Sequence, residues 1–151
     1  METLCAHCFQ FRWENDMIDI KTGRVDFDGG YSIGPSTTVS DLRIFANVQK
    51  GVENGCWKTF NIRKLSIDGV PVALAVQFKE ARIWGLVLVC ITAEHLSWGN
   101  YLEEKPKIKV ANGQLFERLF GGKGPYRFSW GDVESGVDSK TDDAEIVFRY
   151  K

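Results

Sequence analysis

The sequence predicts a single α+β domain, an antiparallel sheet built around a central three-strand meander and flanked by two helices. Three observations carry this expectation. Residues 57–92 form three apolar-rich segments separated by two tight-turn signals. Two other segments space their apolar residues three and four apart, as a helix with one buried face requires. The length, 151 residues, suits one domain. A chain of this size buries roughly two-thirds of its unfolded surface and folds without disulfides or metal.

Residues 1–16 stand apart. A strand over 7–13 would place His7, Phe9, Phe11 and Trp13 on one face. Met17 is an alternative start, which makes 1–16 an N-terminal extension and 17–151 the domain proper. Residues 17–20 and 24–27 read as a hairpin around Thr22-Gly23. Ser36-Thr37-Thr38-Val39-Ser40-Asp41 reads as a helix start, with Thr38 as cap and Asp41 meeting free N–H groups and the positive end of the dipole. Val39, Leu42, Phe45 and Ala46 share a face, so this helix is expected to run to about Gln49 and stop before Gly51.

The meander is expected as strands 57–67, 70–78 and 81–92. Asp68-Gly69 is a type I′ turn signal, because both central positions need positive φ. Lys79-Glu80 makes the second connection. Val72, Leu74, Val76 and Phe78 alternate onto one face of the middle strand, with Ala73 and Ala75 opposite. The third strand is apolar on both faces, with Trp84, Leu86 and Leu88 on one and Ile83, Val87, Val89 and Ile91 on the other. Such an antiparallel strand must be covered on both sides or face a partner.

A second helix is expected within 102–120. Pro106 belongs to its first turn or breaks off a short preceding turn. Ile108, Ala111, Leu115 and Leu119 form its stripe, widened by Phe116 and Phe120, and Gly121-Gly122 ends it. Tyr126, Phe128 and Trp130 then alternate with Arg127, Ser129 and Gly131. Residues 144–150 alternate again, after a polar loop over 134–143. The expected order is β-β-α-β-β-β-α-β-β.

Composition excludes several classes. The net charge is -1, and no basic face exists to neutralise phosphates, so nucleic acid is not an expected partner. The longest apolar run, 83–91, is about half of a membrane span and reads better as a strand. No basic region and cleavage site mark the N-terminus as a secretion signal, so the expected compartment is the cytoplasm. There the four cysteines stay reduced, and Cys56 and Cys90 read as small hydrophobes.

Each chemical motif is incomplete. Cys5-Ala6-His7-Cys8 is half of a zinc site, and no second pair supplies the other ligands. Nothing places this pair at a helix N-terminus, where a redox thiol is activated. His95 lies near Glu94 and Ser97, but no nucleophile elbow is present. Gly121-Gly122-Lys123-Gly124 follows a helix and opens a strand, the reverse of a phosphate loop. The pairs Asp26/Asp28, Glu103/Glu104 and Asp142/Asp143 fit no glycosidase or metal spacing. The expectation is therefore no catalytic residue, no cofactor site and no metal site. The remaining feature is a local group of aromatics, Trp98, Tyr101, Tyr126 and Trp130, which are the candidate partner-binding residues.

Several strings carry a resemblance: Ile18-Asp19-Ile20-Lys21-Thr22-Gly23, then Ile33-Gly34-Pro35-Ser36-Thr37-Thr38 with Asp41-Leu42. Tyr126-Arg127-Phe128-Ser129-Trp130-Gly131-Asp132-Val133-Glu134-Ser135 and the closing Ala144-Glu145-Ile146-Val147-Phe148-Arg149-Tyr150 complete it. In layout the chain, over 17–151, resembles small bacterial proteins similar to candidate immunity proteins, which neutralise a toxin. The resemblance implies a protein partner, no enzymatic activity and no catalytic residues to carry over. Three readings follow. One is a protein-binding module, in its sharpest form an immunity protein. Another is a small-molecule-binding protein or enzyme with a pocket between the sheet and the second helix. The third is a structural or assembly protein that forms a homodimer.

Overall fold

The computed structural model describes residues 17–92, 101–137 and 144–151; the side chains of Tyr101 and Val137 lie outside this description. The proposed strand at 7–13 and the Cys5/His7/Cys8 segment fall outside the described residues. Three short strands, β1 (Ile18–Asp19), β2 (Arg24–Phe27) and β3 (Tyr31–Ile33), make a small antiparallel sheet. A 3-10 turn over Ser40–Ile44 leads to β4 (Val48–Asn54). Then come β5 (Trp57–Ile67), β6 (Val70–Lys79), β7 (Arg82–Cys90), α1 (Tyr101–Phe120), β8 (Tyr126–Phe128), β9 (Gly131–Val137) and β10 (Ala144–Tyr150). Among the described residues the large sheet has seven strands in the order β4-β5-β6-β7-β10-β9-β8, with antiparallel neighbours throughout.

The meander forms from β5, β6 and β7. Asp68 and Gly69 both have positive φ, 50° and 79°, which is the type I′ geometry whose twist matches the strands it joins. Asp28 reinforces this turn from the small sheet. Its carboxylate accepts the amide N–H groups of Asp68 (3.1 Å) and Gly69 (2.9 Å) and the hydroxyl of Ser66 (2.6 Å). These hydrogen bonds hold its pKa below the usual aspartate value, that from Ser66 most strongly. The second turn is Glu80-Ala81, one residue later than expected, because Lys79 still pairs with both Trp57 and Arg82.

A bulge changes which face two aromatic-strand residues occupy. Gln77 pairs with Gly85 but Phe78 pairs with Ile83, so Trp84 is the extra residue. Ile83 is buried with Leu86, Leu88 and Cys90, and Trp84 is exposed. The expected face assignment of Ile83 and Trp84 is thus reversed, while that of Leu86, Leu88, Val87 and Val89 holds. Gly85 beside the bulge has no room for a side chain, since a Cβ there would collide with the Phe148 carbonyl oxygen of β10.

The prediction of an α+β fold with two helices is corrected. The molecule is mostly β-sheet, with one α-helix among the described residues. The expected first helix begins as its cap suggests. Thr38 N–H donates to the Asp41 carboxylate at 2.8 Å, and Asp41 N–H donates to the Thr38 hydroxyl at 3.3 Å. It stops after one short turn, because Phe45 adopts extended backbone (φ -81°, ψ 124°) and Val48 onward pairs with β5. Only Leu42 and Phe45 of the proposed stripe are buried, and Ala46 is exposed, so a longer helix would gain little. The terminal expectation is also revised. Ser129 and Trp130 turn the chain, which divides the expected strand over 126–131 between β8 and β9. The polar stretch beyond it continues as β9, paired residue for residue with β10. Among the described residues the order is β-β-β-β-β-β-β-α-β-β-β.

One face of the large sheet builds the core. Ile62, Val76, Phe78, Leu86, Leu88, Val133, Ile146 and Phe148 are buried there together with Leu115, Phe116, Leu119 and Phe120 of α1. Phe120 lies 6.1 Å from Phe148, ring centre to ring centre. Gly121 N–H closes the helix on the Glu117 carbonyl with φ 83°, the left-handed cap expected of glycine. Val25, Phe27 and Ile33 of the small sheet join the same core. Two polar clasps tie that sheet down. Trp130 donates its indole N–H to the Ile20 carbonyl at 2.7 Å, and Tyr150 donates its hydroxyl to the Gly23 carbonyl at 2.8 Å. No helix among the described residues is long and apolar enough to cross a membrane.

Candidate functional site

Because β-strand side chains alternate, the residues between the core positions point to the opposite, outer face. Strand register aligns Ala75 with Val87 and Val87 with Val147, and sets Ala73 beside Val89. These five small apolar side chains are half-buried and form the middle of the outer face. The core-forming residues of α1 pack against the other side. At one end Ile91 is 42% exposed. At the other the bulge delivers Trp84 beside Trp57, with ring centroids 5.3 Å apart and planes at 82°. They remain 42% and 37% exposed, unusual for two large aromatics in mutual contact.

Lys79 completes this cluster. Its ammonium lies 5.5 Å from the Trp57 ring centre and 5.6 Å from that of Trp84, within cation–π range of both. It makes no ion pair with a carboxylate among the described residues. An open groove of about 510 Å³ continues from Trp84 between Lys79, Arg82, Asp132 and Arg149. Arg149 spans Asp132 (2.9 Å) and Glu134 (2.7 Å), and these bonds, Glu134 foremost, raise its pKa further. Arg82 donates to the Lys151 carbonyl oxygen at 3.2 Å. The cluster therefore offers apolar area, ring faces and an unneutralised positive charge within one patch.

Of the four aromatics expected to bind a partner, the side chains of Tyr126 and Trp130 are described. Trp98 lies outside the described residues, and Tyr101 opens α1. Tyr126 is half-buried, its ring stacked at 5.6–5.9 Å on Phe120 and Phe116. Trp130 is 8% exposed and stacks on Phe128 at 4.9 Å, besides clasping Ile20. Tyr126 and Trp130 thus act as packing residues. Trp57 and Trp84 were not singled out, because only strand register and a bulge bring them together.

Cys90 is buried, and burial pushes its thiol pKa up to about 11, so it is no nucleophile. Cys56 is exposed in the turn between β4 and β5. His7, His95 and the Glu94/Ser97 neighbourhood lie outside the described residues. Among the described residues no group of three or more His, Cys, Asp or Glu is placed to hold a metal ion. The chain matches no protein-family model, no curated protein and no solved structure.

Proposed function

We propose that this chain is a cytoplasmic protein-binding module that docks a partner across the outer face of its sheet. The partner is a separate protein with an acidic surface, and in the immunity-protein reading suggested by the resemblance it is a toxin neutralised by occlusion. The observation that supports this reading is the exposed Trp57–Trp84 pair under Lys79, set at the end of an apolar strip. Tryptophans of this kind carry a disproportionate share of binding energy, because they bury large area at small entropic cost. The uncompensated Lys79 charge, with Arg82 nearby, favours a negatively charged partner and raises its encounter rate. Occlusion needs no nucleophile, base or cofactor.

The test is to purify the chain with proteins encoded by adjacent reading frames and to measure complex formation by calorimetry. The expected result is a stoichiometric complex, weakened about thirtyfold by Trp84→Ala, which corresponds to about 2 kcal/mol. Trp84→Ala and Trp57→Ala are expected to stay folded, with stability changed by no more than about 1 kcal/mol. Unchanged affinity in both variants would overturn the assignment of this face. Light scattering that shows a dimer held through Trp84 would replace the separate partner with a second copy.

A further inference from the structure

We propose a second site, independent of the outer face: the cavity between α1 and strands β9 and β10 binds a small organic carboxylate. It starts from Asn112, a polar side chain only 1% exposed in the middle of α1. Its Oδ1 accepts the Cys90 amide N–H at 2.8 Å. That amide lies beyond the last β7–β10 pair, Ile146 with Leu88, so the side chain replaces a missing rung of the sheet. The other half of the amide is unused. Nδ2 is buried without a hydrogen-bond partner among the described residues. A group that only had to cap Cys90 needs an acceptor and no donor; among the described residues the donor is idle, and it suits an acceptor atom on a ligand.

Asn112 forms part of the wall of a cavity of about 210 Å³, together with Lys109, Gly113, Phe116, Lys123 and Ser135. Two lysines face one acid there, Glu117, and neither lysine makes an ion pair with a described residue. The wall therefore combines a buried amide donor, a serine hydroxyl and excess positive charge with one aromatic ring. That set matches an anion whose charge lies on acceptor oxygens and whose body is apolar. The volume falls below the roughly 300 Å³ at which drug-sized pockets begin, which favours a compact monocarboxylate. Gly113 borders the opening and leaves room for a side chain: a Cβ built there meets nothing within 4 Å.

Sodium benzoate is the probe. The full-length ¹⁵N-labelled chain is titrated with it while the side-chain amide of Asn112 and the backbone amides of Gly113 and Ser135 are followed by NMR. The expected result is a saturable shift at these groups, absent with sodium chloride at equal ionic strength. Lys109→Ala combined with Lys123→Ala is expected to weaken binding at least tenfold. Gly113→Leu fills the opening and replaces a helical glycine, so it is expected to raise the melting temperature and abolish the shift. The proposal is overturned if no saturable shift occurs, if chloride reproduces it, or if Gly113→Leu leaves it intact. A water bound to Nδ2 alone would give the first of these results.

Discussion

The carboxylate of Asp28 accepts the amide N–H of Gly69 at 2.9 Å, which joins the end of the small sheet to the first turn of the meander. Its pKa is lowered, so the charged form is favoured more in the folded than in the unfolded chain. The stability it contributes is then present above the unfolded aspartate value, about 3.9, and is lost as pH falls through the folded value. Asp28→Asn is expected to cost about 1 kcal/mol near neutrality, the low end for charge-assisted bonds because the group is exposed. Urea midpoints measured down the acid range are expected to converge for the two proteins. Parallel curves would assign the stabilisation to something other than the charge.

Gly69 has φ 79° and open space where a Cβ would stand, so any penalty at this position comes from the backbone alone. Gly69→Val is expected to destabilise by about 1 kcal/mol or more, because a β-branched residue resists positive φ. Gly69→Asn is expected to lose much less, since asparagine tolerates this conformation. Equal urea midpoints for the two variants would contradict this account of the turn.

Trp130 and Tyr150 hold the small sheet through the Ile20 and Gly23 carbonyls. Trp130→Phe keeps an aromatic ring near Phe128 and loses the hydrogen bond, at an expected cost of about 1 kcal/mol. Trp130→Ala removes a buried ring and is expected to cost about 3–5 kcal/mol. Hydrogen exchange provides the sharper readout: in Trp130→Phe, amides of β1 and β2 are expected to lose protection before those of β6 and β7.

The two described cysteines are expected to behave oppositely toward a thiol reagent. In a Cys5→Ser, Cys8→Ser background at mildly alkaline pH, Cys56 reacts promptly, because it is exposed. Cys90, buried and with a thiol pKa near 11, reacts only when the protein unfolds. Two prompt thiols would show that the β7 end of α1 opens in the native state.

Tryptophan quenching checks the outer face without a partner. Acrylamide is expected to quench Trp57 and Trp84 readily and Trp130 weakly, as single-tryptophan variants would report. Trp84→Ala is expected to shift stability by no more than about 1 kcal/mol, because much of the side chain already meets solvent.

Where local chemistry decides structure, the sequence was legible. Asp68-Gly69 located a turn whose geometry almost no other dipeptide adopts easily, and the spacing of Leu115, Phe116, Leu119 and Phe120 located α1. The Thr38/Asp41 cap was also read correctly, but a cap starts a helix without setting its length. β4 escaped because its residues are largely exposed at the sheet edge, where no apolar alternation is required. Most of β9 escaped because the polar stretch from Glu134 reads as loop until Arg149 of the next strand pairs with Glu134 and Asp132. The candidate site was hidden for a related reason. Trp84 faces outward only because of a bulge at Gln77/Phe78, and its partner Trp57 comes from the far end of the meander. Proximity in sequence pointed instead to Trp130, which the core consumes.

The strand order has a consequence for how the protein is made. β10 follows β9 in chain order, yet it lies between β7 and β9, and among the described residues β8 pairs with β9 alone. On the ribosome, β5, β6 and β7 emerge first and can zip together by local turns. The meander then waits with the bonding edge of β7 unpaired until β10 arrives and pairs Ile146 with Leu88 and Phe148 with Leu86. Such an edge invites pairing with other chains. A ribosome stalled before Ala144 is emitted would therefore hold an aggregation-prone intermediate, and release of β10 would join the meander to β9 in one continuous sheet.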